Sequence, residues 1–155
     1  MRSLMPIEVL LVEDSPGDVR LLQEALQDVN PAAHLHVVED GSEAIAFLSQ
    51  HGVYANSPRP GLILLDLNLP KMDGRQVLAH IKHHESLKSI PTVILTTSAD
   101  EADIHQTYKL QANCYLTKPV DFDAFEGLIK SINDFWLTRV KLPSISCGGA
   151  TSEGL

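Results

Sequence analysis

Five polar side chains that could hold a metal ion or transfer a phosphoryl group lie at the ends of short apolar runs in this sequence. Glu13 and Asp14 follow the first run, and Asp66 follows the third. Thr96 and Lys118 end the fourth and the fifth. Carboxylates that lie close together repel one another, and burial increases the repulsion. A hard divalent cation would neutralise them, and Mg²⁺ prefers carboxylates together with waters and phosphate oxygens.

The lysine and the threonine complete a set that is suited to phosphorylation of a carboxylate. Lys118 can pair with Asp66 or with an anion carried on it, and Thr96 can donate a hydrogen bond to the same anion. A carboxylate nucleophile, a divalent cation, an ammonium and a hydroxyl are what aspartyl phosphorylation requires. Each residue alone would be an ordinary strand end, so the prediction depends on all of them meeting at one place.

They would meet if the apolar runs form one parallel sheet. Runs rich in β-branched and aliphatic residues alternate with helix-like segments, which gives five β–α units in strict alternation. This pattern predicts an α/β fold with helices on both faces of a parallel sheet. Ligands of such sheets bind beyond the carboxyl ends of the strands. The predicted strands cover residues 7–12, 35–38, 62–65, 92–95 and 114–117, and the predicted helices begin near Ser15, Gly41, Arg75, Glu101 and Asp121.

Length and composition predict one globular domain with a short tail. The chain has 155 residues, of which 44% are hydrophobic and 21% are charged. This is ordinary for a domain that buries a core. We expect the domain to cover residues 1–142, with an extended last helix that runs to about Val140. Residues 143–155 are rich in Ser and Gly and are expected to form a flexible tail.

Charge and hydropathy exclude several classes of protein. The net charge is −8 and there is no basic patch, so a nucleic-acid-binding face is not expected. The longest apolar runs are too short to cross a bilayer, so no membrane partner is expected. The start of the chain does not resemble a signal peptide, and Cys114 and Cys147 do not form a disulfide framework. These features predict a cytoplasmic protein.

Four stretches together resemble the response regulator receiver family of two-component systems. The stretches are Leu11–Ser15, Leu64–Gly74, Ile94–Ser98 and Tyr115–Pro119, and the resemblance extends over about residues 5–134. It implies a flavodoxin-like, five-stranded parallel sheet with strand order 2-1-3-4-5, the topology of the chemotaxis regulators. It also implies a signalling protein and not a classical enzyme. Such a protein accepts a phosphoryl group from a sensor histidine kinase.

The resemblance assigns roles to the residues already singled out. It implies that Asp66 is the phosphoacceptor, with Lys118 as the lysine that pairs with it. Glu13, Asp14 and Asp66 would hold Mg²⁺, and the backbone carbonyl of Asn68 would join them.

It also implies a switch. Thr96 and Tyr115 correspond to a pair in which the hydroxyl moves toward the phosphoryl group and the aromatic ring turns inward. Pro119 corresponds to a proline that commonly follows a cis peptide bond. One departure is Gln111, where the family usually has Gly, so we expect a strained or reshaped turn there.

A weaker resemblance is to the stand-alone regulators of bacterial and cyanobacterial phytochromes. It rests on His36–Gly41, Tyr54–Pro60, Asn113–Tyr115 and Asp134–Leu137. It implies a phytochrome-type kinase as the upstream partner. We expect output through a downstream phosphotransfer or effector protein.

The end of the last helix predicts a homodimer. An apolar stripe at helical spacing already accounts for what one domain must bury. That stripe consists of Phe122, Phe125, Leu128, Ile129 and Ile132. Phe135, Trp136, Leu137 and Val140 continue beyond it and are too apolar to leave in water. A symmetric pair of chains would cover them, and the alternative is that the segment folds back on its own domain.

Other functions on similar folds remain as alternatives. A haloacid-dehalogenase-type phosphatase would need a second acid where this chain has Asn68. A flavodoxin-type cofactor carrier would need a phosphate-binding loop where Glu13 and Asp14 would repel a phosphate. A phosphorylation-independent, receiver-like interaction module would not need the phosphorylation residues that are present here.

Overall fold

The computed structural model describes residues 6–143 as five parallel strands and five helices. The strands are β1 (Glu8–Val12), β2 (His34–Val38), β3 (Leu62–Leu65), β4 (Thr92–Thr96) and β5 (Cys114–Thr117). The helices are α1 (Pro16–Val29), α2 (Gly41–Ser49), α3 (Gly74–His83), α4 (Glu101–Lys109) and α5 (Phe122–Asp134). The strand order is β2-β1-β3-β4-β5, which confirms the predicted flavodoxin-like topology. Residues 144–155, nearly all of the predicted tail, lie outside the described residues.

The core consists of two apolar layers, one on each face of the sheet. Leu10, Ile63 and Ile94 point to the layer that α2 and α3 cover. Their strand neighbours, including Val9 and Leu64, point to the opposite layer, which α1 and α5 cover. Every residue of β3 and β4 is buried, as expected for central strands of a parallel sheet. Within residues 6–143, the helices are too short or too polar to cross a membrane.

The register of the sheet brings the predicted site residues to one edge. Val12 of β1 lies opposite Leu65 of β3, so the residues that follow these strands are neighbours. Thr96 of β4 lies opposite Thr117 of β5. The backbone N–H of Lys118 donates to the Thr96 carbonyl at 2.7 Å. The carboxyl ends of four strands therefore share one edge.

The last helix does not continue to Val140 as a regular α-helix. α5 ends at Asp134, and a single π-helical turn follows over Phe135–Arg139. The Val140 N–H donates to the Phe135 carbonyl, five residues back, at 2.8 Å. This turn is wider than an α-helical one, and Leu137 lies buried in the core layer below α1 and α5. Leu137 is therefore covered largely by its own domain, and its predicted place in a dimer interface stays a prediction.

The turn after α4 has the strain expected from the missing glycine. Gln111 has a φ of 74°, in the left-handed region that favours glycine. We expect Gln111→Gly to raise the free energy of unfolding by about 0.5–1 kcal/mol, because relief of the Cβ clash outweighs the added freedom of the unfolded chain. Urea denaturation would measure it.

Gln106→Gly is the matched control for this substitution. Gln106 is an exposed residue within α4, so glycine there should lower the free energy of unfolding by about 1 kcal/mol. Changes of the same sign in both variants would show that the Gln111 turn is not strained.

Candidate functional site

The first part of the site is the connection between β1 and α1. Glu13 is buried and Asp14 is exposed. The Ser15 side chain caps α1 by accepting the Asp18 N–H at 3.3 Å, and Pro16 occupies the first helical turn. The Ser15 N–H donates to Glu13 Oε2 at 3.1 Å. The start of α1 thereby orients the Glu13 carboxylate.

The second part is the end of β3, where Asp66 is held by its own loop. Its Oδ1 accepts the Leu67 N–H at 2.7 Å and the Asn68 N–H at 3.4 Å. The Gly74 N–H donates to the Leu67 carbonyl at 2.9 Å, which places the start of α3 against this loop. A Cβ at Gly74 would overlap the backbone carbonyl of Asp66, so only glycine allows this approach. Asp66 Oδ2 is the oxygen that faces Lys118.

The three predicted carboxylates meet. One oxygen from each of Glu13, Asp14 and Asp66 lies within 4.8 Å of the others. Two buried carboxylates and one exposed carboxylate fit a hard divalent cation that keeps part of its water shell. Asn68 is next to this cluster, but its side chain is exposed and its N–H is directed to Asp66. The predicted role of its carbonyl stays a prediction.

Lys118 is buried among carboxylates, with 5% of its side chain exposed. Its Nζ donates to Glu13 Oε1 at 2.5 Å and to Asp66 Oδ2 at 3.5 Å. It also donates to Asp18 Oδ2 at 2.8 Å. Burial alone would lower the pKa of Lys118, but the hydrogen bonds to Asp18 and Glu13 outweigh it and raise that pKa. The ammonium is therefore the fixed positive charge of the site, and Asp18 is a member of the site that the sequence did not predict.

Glu13 is the most deeply buried carboxylate of the site. Burial, together with the nearby charge of Asp66, raises the pKa of the Glu13 carboxyl to about 7, and the hydrogen bond from Lys118 only partly opposes this. The unfolded chain has the ordinary value of 4.5. The folded protein therefore binds the extra proton between these two pH values.

This pKa predicts how stability depends on pH in the metal-free protein. The contribution of Glu13 is favourable below about pH 4.5 and is lost as the pH rises to about 7, with an upper limit of about 3 kcal/mol. Urea denaturation in a chelator should show that Glu13→Gln removes this slope, whereas Glu24→Gln, at an exposed position of α1, should keep it. An unchanged slope in Glu13→Gln would contradict the assignment. Mg²⁺ should also reduce the slope, because a cation favours the ionised carboxylate.

The predicted switch residues lie on the adjacent strands. Thr96 is fully buried, and its hydroxyl has no hydrogen-bond partner among residues 6–143. A buried hydroxyl without a hydrogen-bond partner costs free energy. Thr96 is the last residue of β4, next to the loop that carries Asp66. Tyr115 is half-buried and donates from its hydroxyl to the Ser98 carbonyl at 2.9 Å. The Lys118–Pro119 peptide bond is trans, so the cis bond expected from the family resemblance is absent.

The predicted dimer residues lie away from the carboxylate cluster. Phe135 is 54% exposed and its ring packs edge-on against Trp136, with the ring centroids 5.5 Å apart. Trp136 is half-buried and also packs against its own core, and Val140 is half-buried. Part of the segment therefore folds back on its own domain, as in the alternative, and Phe135 remains outside.

Comparisons with known proteins agree with this geometry. The family model of the response regulator receiver domain matches residues 9–130. Response regulator Rcp1 of Synechocystis sp. is 52% identical over 139 residues, which are 90% of this chain and 95% of Rcp1.

Two solved structures extend the comparison. The phosphorylated cyanobacterial phytochrome response regulator RcpA has a TM-score of 0.87 and 50% identity, over 90% of this chain and 99% of RcpA. The Mn²⁺-bound form of Rcp1 also has a TM-score of 0.87, with 52% identity, over 90% of this chain and all of that one. One of these two relatives was thus solved in a phosphorylated form and the other with a divalent metal. The chain belongs to the response regulator receiver domain family.

Proposed function

We propose that the protein is a response regulator in which Asp66 of the receiver domain accepts a phosphoryl group from a sensor histidine kinase in the presence of Mg²⁺. The observation that carries the proposal is that Asp66 lies in a cluster of three carboxylates and faces the buried ammonium of Lys118. Such a cluster attracts a divalent cation and such an ammonium attracts an anion. Both are needed where a phosphoryl group is transferred to a carboxylate.

Several residues of the chain contribute to this transfer. Backbone amides hold Oδ1 of Asp66, so the carboxylate keeps one orientation. An O–P bond forms at Asp66 while the N–P bond to the kinase histidine breaks. Lys118 balances the charge of the transferred group, and the Thr96 hydroxyl gains a hydrogen-bond acceptor. A bound Mg²⁺, which Glu13, Asp14, Asp66 and the Asn68 carbonyl would hold, would neutralise charge on the phosphoryl oxygens.

We further propose that the upstream partner is a phytochrome-type kinase and that the protein acts in the cytoplasm. The support for the kinase is the likeness to Rcp1 and to RcpA, a phytochrome response regulator. Transfer from an autophosphorylated phytochrome-type kinase should be fast and should stop in a chelator. A matched assay would use an autophosphorylated kinase of another sensory class, from which transfer should be at least about tenfold slower, as for a difference of about 1.4 kcal/mol in the barrier.

Equal rates from both kinases would contradict the phytochrome assignment and leave phosphorylation standing. Absence of transfer from any phosphodonor would favour the alternative, a phosphorylation-independent interaction module. Partner binding that is unchanged by a phosphodonor would also favour this alternative. A downstream effector or phosphotransfer protein should instead discriminate between the two forms, because phosphorylation adds nearly two negative charges.

We also propose a homodimer through the segment after α5, with Phe135, Trp136 and Val140 in the interface. The support is the exposed ring of Phe135, since aromatic side chains are favoured at interface centres. Sedimentation at tens of micromolar, a concentration range that detects Kd values of about 1 µM, should show a dimer that Phe135→Ser dissociates. Phe122→Ser is the matched control, because Phe122 is 55% exposed at the other end of α5. A wild-type monomer, or equal dissociation by both variants, would remove the dimer proposal.

A further inference from the structure

Lys118 has a third carboxylate partner that comes from a helix. Its Nζ lies 2.8 Å from Asp18 Oδ2 in α1, closer than the 3.5 Å to Asp66 Oδ2. Asp18 and Lys118 are 100 residues apart in the chain. The ammonium has three protons to donate, and in this arrangement Glu13, Asp18 and Asp66 each take one.

Helix capping does not account for this position of the Asp18 side chain. Asp18 is the third helical residue after the Ser15 cap, where a capping-box side chain would accept the N–H of the cap residue. Here the Ser15 N–H donates to Glu13 Oε2 instead. The Asp18 carboxylate is therefore directed to Lys118, and only its backbone N–H takes part in the cap.

Because three carboxylates share the Lys118 ammonium, its ion pair with each of them is weaker. Lys118 is almost completely buried, so water cannot replace a partner that it loses. A partner on α1 that holds the ammonium therefore weakens the ion pair between Lys118 and Asp66. Asp18 also places a further negative charge next to the cluster of Glu13, Asp14 and Asp66, which attracts a cation and opposes an incoming phosphoryl group.

We propose that Asp18 is a positioning residue that divides the Lys118 ammonium between α1 and Asp66, and that it thereby strengthens cation binding and shortens the lifetime of the phosphorylated state. The inference rests on the proposed function of Asp66. Without the charge of Asp18, Lys118 would pair more fully with Asp66. The ammonium would then compete with the cation in the free protein and would hold the phosphoryl group more strongly after transfer.

Asp18→Asn tests this because the substitution removes the charge and keeps the shape. We expect Mg²⁺ affinity, measured by calorimetry without a phosphodonor, to fall about fivefold, and the half-life of the phosphorylated protein to rise about fivefold, as for one partly exposed ion pair. Asp18→Glu retains the charge and should restore both values toward wild type. Asp28→Asn is the matched control, because Asp28 is an exposed aspartate of the same helix and the net charge changes equally.

Two outcomes would overturn the role of Asp18. One is that Asp18→Asn behaves like Asp28→Asn in both measurements, and the other is that either value moves in the opposite direction. Thermal unfolding of each variant shows whether it is folded. If Asp18→Asn is not folded, Asp18→Glu provides the test. If the wild type takes up no phosphoryl group, the proposed function fails, while the Mg²⁺ measurement still reports on Asp18 separately.

Discussion

Asp66→Asn should reduce the uptake of a phosphoryl group from acetyl phosphate and Mg²⁺ to background. An amide nitrogen cannot replace the carboxylate oxygen as the nucleophile. The fold should survive, because the asparagine carbonyl can still accept the Leu67 N–H that Asp66 Oδ1 accepts now. Stability without metal should be unchanged or higher, since one of the three clustered carboxylates loses its charge.

Asp73→Asn provides the control for this experiment. Asp73 lies in the same loop and caps α3 with its side chain, and asparagine caps helices about as well as aspartate. Labelling of Asp73→Asn should therefore match the wild type. Normal labelling of Asp66→Asn, or equal loss in both variants, would contradict the assignment of Asp66.

Lys118→Met should be the most destabilising substitution in the site. It removes the only cation within hydrogen-bonding distance of Glu13 and Asp66 in the described residues and leaves these two carboxyl groups without the positive charge that offsets their burial. Removal of one partner from a buried ion pair costs about 3–5 kcal/mol. Urea denaturation at neutral pH should show a loss of this size, and saturating Mg²⁺ should restore part of it by supplying another positive charge.

Lys82→Met separates this charge effect from the loss of a buried lysine. Lys82 is half-buried and donates to the carbonyl oxygens of Lys88 and Ile90 and to Asn113 Oδ1, none of which is charged. Its replacement should also destabilise the protein, but Mg²⁺ should not restore the loss. Equal recovery of both variants with Mg²⁺ would show that the cation does not act at the carboxylate cluster.

The sequence predicted the fold and most of the site for a specific physical reason. Parallel β–α units place all strand ends at one edge, so chain position alone was enough to bring Asp66 and Lys118 together. Asp18 was not predicted as a site residue, because helix capping also favours an acidic residue in the first turn of a helix. The pairing with Lys118 depends on where the fold places the start of α1 relative to the end of β5, which local sequence does not encode.

The segment after α5 shows a second limit of sequence reasoning. The apolar character of Phe135–Val140 indicated that something must cover it, but did not specify what. The π-helical turn places Leu137 in the core and leaves Phe135 exposed. Helical periodicity cannot anticipate such a turn. By contrast, the strain at Gln111 could be predicted, because glycine is the residue that tolerates a positive φ.

Reduction with borohydride tests the central claim most directly. An acyl phosphate on an aspartate is reduced to homoserine, whereas phosphate esters of serine and threonine are not. After treatment with acetyl phosphate and Mg²⁺, followed by borohydride and peptide mass mapping, we expect homoserine at position 66 and at no other aspartate, and none when a chelator replaces Mg²⁺. Homoserine at another position, or a phosphoryl group that resists borohydride, would contradict the account.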